Sequence, residues 1–347
     1  MVDTIKVISQ IDKSIYDKIS SKSNIKCMYN KDSGEIFYEI VNDSLKGTYD
    51  SSLSVRVGKG EKYGFYNSYC IEVEGSYHKI IKGHNAYDGF YNVQMIVLKL
   101  KELVENAYQV ALPKLKHWFL QRIDITKSFN LETQKNVTTY INSLNLLSYP
   151  RRNTKFYSNE CLYVPGQITT LKIYNKLLEF MKNDRQKVTK FVNFDYFEFI
   201  EKIKGYTRFE IEIKRKKLSS IYNKKYIRVD SIDYKLLEKI WSDEFMKILK
   251  YDEIKLKRVR TKEEVRERLE TLFTTTKAGN LYQFFITILN DGYETTKERT
   301  SKTSFYRKVS ELKEAGIDFS QNNFNDIATI DFEKTINFDP FLWKEVV

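Results

Sequence analysis

Cysteine, histidine, proline and long apolar runs are all scarce in this chain. Its 347 residues include three cysteines, Cys27, Cys70 and Cys161, which have no metal-ligand spacing and cannot all pair. That argues against a disulfide framework and for a reducing, intracellular compartment. No apolar run approaches the roughly 20 residues that a membrane-spanning helix needs. Met1 to Ile11 is polar and carries both charge signs, unlike a signal peptide. No nucleotide-binding P-loop is present, so any strand unwinding would need another protein. Alanine is also scarce, while Lys, Asn, Ile and Tyr are abundant, a bias that suggests A/T-rich coding DNA and says nothing about activity.

Basic residues and aromatic rings are plentiful. Lysine and arginine number 58 against 46 acidic residues, a net charge of +12, and aromatics make up 14% of the chain. Such an excess suggests an anionic partner, most simply nucleic acid. Tyr and Phe rings stack on unpaired bases, although most of them must form core in a chain so poor in alanine.

The hydrophobic pattern predicts an α+β fold. Short strands are expected at Ile36–Ile40, Leu53–Val57 and Tyr69–Glu74, the last two as a hairpin, within a first fifty residues that otherwise alternate irregularly. Lys82–Tyr87 reads as a loop, and Asn92–Gln109 as a helix closed by Pro113. Leu120–Thr126 alternates cleanly, a helix follows over Thr133–Leu147, and residues 181–200 look like a connecting helix or loop. Further strands are expected at Thr169–Tyr174 and Thr207–Lys214.

Each of these strands carries a polar face beside an apolar one: Glu72 with Glu74, Arg122 with Asp124 and Thr126, Lys172 with Tyr174, and Arg208 with Glu210 and Glu212. An antiparallel sheet with helices over its apolar face would gather those polar faces into one surface. Clustered carboxylates make a hard-cation site for Mg2+ or Mn2+. A metal next to a tyrosine supplies the parts for phosphoryl transfer. Tyr174 stands at a strand end with Lys172 beside it and Lys176 and Glu179 just beyond. A phenol ordinarily titrates at about pH 10, and flanking cations would favour the phenolate. The competing reading makes Tyr174 one of 25 tyrosines that merely packs an amphipathic surface.

From Lys214 to Arg228 there are seven basic residues and no acidic one, either a solvated surface or a track for a phosphate backbone. Residues 231–268 read as a charged helical connector between a first domain, 1–230, and a last, 269–347. The last domain holds a helix at Leu281–Leu289, ending at Asn290-Asp291-Gly292, then a polar segment and a second helix over Thr303–Ala315. Phe305, Val309 and Leu312 form the inner face of that helix, while Ser304, Arg307, Lys308 and Glu311 point outward. The pair is helix-turn-helix-like, though an ordinary helical hairpin fits the same spacing.

Four features, taken in order, carry a resemblance: Lys82-Gly83-His84-Asn85; Arg122-Ile123-Asp124; Lys172-Ile173-Tyr174-Asn175-Lys176 with Glu179; and Arg208-Phe209-Glu210 leading to Lys214. Together they resemble the replication initiation proteins of filamentous phages, the gene II/X type, and related plasmid initiators of rolling-circle replication. The tail Ser304-Phe305-Tyr306-Arg307 with Ala315-Gly316-Ile317-Asp318 looks like the C-terminal portion of that family. The resemblance spans roughly residues 50–320.

It implies a rolling-circle initiator-like nuclease domain that nicks and rejoins one DNA strand, in the cytoplasm of a bacterial host and with host helicase and polymerase as partners. Tyr174 would match the nucleophile, forming a 5′-phosphotyrosyl link and leaving a 3′-hydroxyl that primes synthesis. Asp124 and Glu210 would be metal ligands, with Glu212 or Glu72 as a third. Lys172 and Lys176 would stabilise phosphate or phenolate charge. Contacts to origin DNA would fall to Arg122, Arg208, Lys214 and Arg215 and, in the tail, to Ser304, Arg307 and Lys308. Many such initiators carry two histidines one residue apart as ligands. This chain has only His78, His84 and His117, which favours a carboxylate-dominated site and leaves His84 as either a site residue or a loop hydrogen-bonder. Two other readings compete: a non-enzymatic DNA-binding regulator, and a relaxase or transposase with the same tyrosine chemistry.

Overall fold

Strand-forming alternation dominates the first two thirds of the chain, and it builds one sheet. The computed structural model describes residues 1–34, 36–46, 51–144, 149, 152–190, 194–249 and 262–317. Ten strands appear among them: β1 (Val2–Ile11), β2 (Ile25–Tyr29), β3 (Ile36–Lys46), β4 (Ser52–Lys59), β5 (Tyr69–Gly75), β6 (Trp118–Asn130), β7 (Lys155–Tyr157), β8 (Cys161–Val164), β9 (Thr169–Asn175) and β10 (Tyr206–Lys214). Their order across the sheet is β2-β3-β4-β5-β1-β6-β10-β9-β8-β7, and every neighbouring pair is antiparallel.

The centre of the sheet is a strand that the hydrophobic pattern does not mark. β1 pairs with β5 on one side and β6 on the other, with two register shifts against β6. Val2, Ile5, Val7, Ile8 and Ile11 are all buried. A strand covered on both faces loses the clean alternation that marks one with a wet side.

Helices cover the apolar face first. The helices of this part of the chain are α1 (Lys13–Ser20), α2 (Tyr77–Lys82), α3 (Val93–Tyr108), α4 (Gln134–Ser143), α5 (Lys176–Asn183), α6 (Arg185–Val188), α7 (Tyr196–Ile203), α8 (Arg215–Tyr222) and α9 (Tyr234–Leu249). α3 starts where expected because the Asn92 side chain accepts the Met95 N–H at 2.9 Å, and it stops where Gln109 turns left-handed at φ 56°. α4 also starts as expected, capped by Thr133; the expected end at Leu147 lies outside the described residues. Residues of α3, α4 and α9 share one core with the inward residues of the strands. At its middle the Trp241 ring lies 4.8 Å from Phe245, and its indole N–H donates to the Phe209 carbonyl at 3.2 Å.

The helices are not confined to that face, contrary to expectation. Phe180 of α5, Val188 of α6 and Phe199 and Ile203 of α7 form a second apolar cluster with Ala86. Those helices have apolar stripes of their own, which need cover that the loop after α2 provides. They roof part of the polar face, and the residues beneath them are buried.

The C-terminal helices have a separate core. α10 (Lys262–Leu272), α11 (Thr275–Asp291), α12 (Tyr293–Arg299) and α13 (Lys302–Glu314) pack Val265, Leu269, Phe285, Phe305 and Leu312 into one cluster. The polar segment between the two expected helices holds helix α12. The charged connector is divided: Leu237, Trp241 and Phe245 of α9 belong to the sheet core, whereas Val265 and Leu269 of α10 belong to the C-terminal cluster. α13 ends at Gly316, whose φ of 80° suits glycine. Asp318 and the rest of the expected last domain lie outside the described residues, as do residues 250–261. Among the described residues no helix is long and apolar enough to cross a membrane.

Candidate active site

Register decides which polar residues meet. Across β9 and β10, Tyr174 faces Arg208, Lys172 faces Glu210, and Thr170 faces Glu212. Across β10 and β6, Glu210 faces Thr126 and Glu212 faces Asp124. Directly opposed residues present their side chains to the same side of a sheet. Tyr174, Lys172, Arg208, Glu210, Glu212, Asp124 and Arg122 therefore share one face, as their alternation predicts.

Hydrogen bonds tie the group together. The Tyr174 hydroxyl donates to Glu210 Oε2 at 3.0 Å, and Lys172 Nζ donates to Glu210 Oε1 at 2.7 Å. Arg122 forks onto Asp124, with Nε at 2.8 Å from one oxygen and Nη2 at 2.5 Å from the other. It also reaches Glu74 at 3.1 Å and Glu212 at 3.5 Å. Lys214 donates to the Gly166 carbonyl at 2.7 Å and lies 3.5 Å from Glu212. The strand hands over to α5 directly after Tyr174: the Asn175 side chain accepts the Leu178 N–H and caps the helix.

Beneath Tyr174 lies a buried polar network that involves a residue no sequence signal marked. Arg208 is fully buried and donates to the Asn85 carbonyl and, at 2.8 Å, to Thr126 Oγ1. Lys176, equally buried, donates to Asn85 Oδ1 at 2.7 Å and to Glu179 at 2.5 Å. Asn85 in turn donates to Asp3 Oδ1 at 2.6 Å. The loop motif around Asn85 is visible in the sequence; Asp3 is not, because β1 does not read as a strand. Burial opposes the charge of Asp3, yet Arg208 and Lys79 hold its carboxyl below the ordinary range.

The electrostatics correct one expectation. Burial, and then the neighbouring Glu210 carboxylate, push the Tyr174 phenol well above its ordinary value, with Arg208 acting the other way. Lys172 and Lys176 are not among the leading influences on it, and each is bonded to a carboxylate. Burial disfavours the charge of Lys172, but Glu210 outweighs this and raises its pKa. Burial leads in lowering Lys176, assisted by Arg208 against Glu179. Asp124 is pushed up to about 8 by burial, with Glu210 adding to the effect and Arg122 opposing it.

A cavity of about 400 Å3 opens beside this group, lined by Tyr174, Lys172, Glu210, Cys161, Glu179 and Lys182 among others. Tyr174 is 8% exposed, and its hydroxyl is bonded to a carboxylate instead of lying among apolar groups.

Of the expected ligands only Glu210 lines the cavity; Asp124 and Glu212 lie further along the same face, and Glu72 and His84 are held elsewhere. Glu72 is held by the Tyr63 hydroxyl, by Lys6 at 3.0 Å and by Arg56 at 3.3 Å, on β5 and across β1 from the Asp124 strand. His84 accepts the Ala86 N–H on Nδ1 at 3.3 Å, its ring 4.6 Å from Tyr87 and 4.8 Å from Phe199. It is a loop hydrogen-bonder, with burial, followed by Lys176, lowering its pKa to about 3. Among the described residues no three His, Cys, Asp or Glu side chains gather closely enough to hold a metal ion. Glu210, Glu179 and Asp3 are the carboxylates that act on Tyr174. Asp124 faces Glu212, four residues further along β10 from the Arg208 that faces Tyr174, and is tied to the site through Glu210.

Of the residues expected to contact DNA, Arg122, Arg208 and Lys214 share the face of Tyr174, Arg208 fully buried, and the others lie apart from them. The Arg215 guanidinium stacks 5.3 Å from the Tyr226 ring centre. On α13, Arg307 is exposed, Ser304 is half-buried, and the Lys308 ammonium sits 5.0 Å over Phe284.

Two family models match the chain, both describing the phage replication-associated protein encoded by gene II. The model of its N-terminal part matches residues 1–234, and the model of its C-terminal part matches residues 270–342. The replication-associated gene II protein of Enterobacteria phage M13 is 25% identical over 314 residues, covering 79% of this chain and 74% of that protein. No solved structure matches the chain. With its N-terminal model alone matching well over half of the residues, and in agreement with the four motifs, the chain belongs to the gene II family of phage replication-associated proteins.

Proposed function

We propose that this replication protein starts rolling-circle synthesis by nicking one strand of its origin DNA and rejoining it through Tyr174. One observation carries the reading: a tyrosine hydroxyl bonded to Glu210 at 3.0 Å, with Lys172 on the same carboxylate, at the wall of a cavity open to a substrate. Tyr174 Oη attacks the phosphorus, and its proton passes to Glu210. The bond from phosphorus to the 3′-oxygen breaks, that oxygen takes a proton from water, and the 5′-phosphate remains on the tyrosine. Reversal by an incoming 3′-hydroxyl restores Tyr174 and closes the strand. Lys172 faces the charge that builds on the phosphate. Arg208, fixed under Tyr174 by Asn85 and Thr126, counters the charge on the phenolate.

Asp124 and Glu210 suit a divalent cation. Burial and the neighbouring Glu210 carboxylate both raise Asp124, with Arg122 opposing, so a cation between the two carboxylates would relieve their repulsion. Mg2+ or Mn2+ held there would polarise the phosphate. Unwinding and synthesis fall to a host helicase and polymerase in the bacterial cytoplasm, and the C-terminal helices add duplex contact through α13.

The test is a labelled single-stranded origin oligonucleotide incubated with the protein and magnesium or manganese. A covalent adduct that maps to Tyr174 is expected. An adduct on another residue, or nicking retained by Tyr174→Phe, overturns the assignment.

A further inference from the structure

The geometry points to the β7–β8 hairpin as the platform on which unpaired bases next to the cut phosphate stack, with Tyr157 and Tyr163 as the stacking rings. The inference rests on the reading that a DNA strand enters the Tyr174 cavity. Two cross-strand rows define the platform. In one, Tyr157 faces Cys161 and Cys161 faces Tyr174; in the other, Lys155 faces Tyr163 and Tyr163 faces Lys172. Opposed residues share a face, so both tyrosines and Lys155 stand on the side where Tyr174 and Lys172 stand. Tyr157 is two strands from Tyr174, a separation of about 10 Å, which suits a base flanking the reacting phosphate.

The hairpin is built to hold those rings still. Leu162 and Val164, on its other side, are buried in the sheet core. Its tip is braced twice, by Asn142 and Asn159, which exchange bonds of 2.7 and 2.9 Å, and by Lys182 on Glu160 at 3.0 Å. Yet Tyr157 keeps 49% of its surface exposed, and Tyr163 is half-buried. A large ring left in water on a braced strand, next to Lys155 and Lys172, matches what a single strand requires: a π-face for the base and a cation for the backbone. A paired base offers its face to no such ring, so the platform selects unpaired DNA. The bland account is that tyrosine suits strands and lysine guards an edge; it predicts no effect on binding.

The test is binding without cutting. A labelled single-stranded oligonucleotide of mixed sequence, and its duplex, are titrated with the full chain in chelator. Tyr157→Ala and Tyr163→Ala should each weaken single-strand affinity by roughly 5- to 100-fold, with duplex affinity unchanged, while Tyr157→Phe and Tyr163→Phe bind as wild type does. Unchanged single-strand affinity in both alanine variants, an equal loss on duplex, or a phenylalanine variant as weak as its alanine counterpart would overturn the proposal. Photocross-linking of the unmutated chain to an iodouracil-substituted strand provides a second readout, in which adducts on Tyr157 or Tyr163 support the platform and adducts only elsewhere defeat it. These outcomes do not depend on cleavage, so a failed nucleophile assignment and a failed platform are told apart.

Discussion

Tyr63 and Tyr174 each donate a hydroxyl to a glutamate on the same face of the same sheet, Glu72 for one and Glu210 for the other. Each glutamate also holds a lysine, Lys6 and Lys172 respectively. The surroundings differ. Tyr63 belongs to the short turn Gly60–Tyr63 and is partly buried, with the Tyr226 hydroxyl donating to its backbone carbonyl at 2.7 Å. Burial favours the proton on Glu72, but Tyr63 and Lys6 prevail and hold its carboxyl below the ordinary range. Tyr174 instead borders a cavity of about 400 Å3 and stands two residues before a helix. A tyrosine–carboxylate pair is thus a brace in itself, and a candidate for chemistry where space for a phosphate lies beside it.

Mutations break this comparison in graded ways. Tyr174→Phe should abolish the covalent DNA adduct, whereas Tyr63→Phe should leave it intact; gel analysis of labelled origin DNA reads both. Glu210→Gln should slow nicking by roughly 10²- to 10⁴-fold, the range for a lost proton acceptor. Arg208→Leu removes a buried cation and leaves Asp3 without its strongest partner. Its expected cost is about 3–5 kcal/mol, measured by urea unfolding. Glu72→Gln should leave the nicking rate alone and lower stability by about 1–3 kcal/mol in the same assay.

Acid sharpens the contrast at the roof over Tyr174. Burial, followed by each ring's charged or histidine neighbours, depresses His78 to about 2 and His84 to about 3, from an ordinary 6.5. Both are neutral when folded, while the unfolded chain takes up protons below about pH 6.5. Stability from these groups is therefore full above that pH and falls as pH drops through the window, by about 1.4 kcal/mol per pH unit for each histidine. His78→Leu should remove its share of that slope in urea titrations at pH 7 and pH 5.

How much of this was legible in the sequence varies with the length and wetness of each strand. β6, β9 and β10 alternate over seven residues or more with one polar side, so Asp124, Tyr174 and Glu210 fall on a common face before any pairing is known. β1 is buried on both sides, and Asp3 goes unseen with it. β7 and β8 span only three and four residues, too few for periodicity to register, which hides Tyr157 and Tyr163. Glu72 lies away from the cavity for another reason. Alternation reports which side of its own strand a residue occupies, but not how many strands separate it from a site. The expected connector dissolves because the apolar stripes of α9 and α10 are read only once each has a partner to pack against.

The abrupt passage from β9 into α5 has a mechanical meaning. Tyr174 is gripped by Cys161 and Arg208 on the flanking strands, and Asn175 locks the next turn, so the phenol has no hinge. A DNA end attached there would be moored without slack, leaving the protein in one direction. On the proposed function, the hydroxyl that seals the circle would have to be delivered to a stationary berth, and the timing of release would rest with the travelling strand.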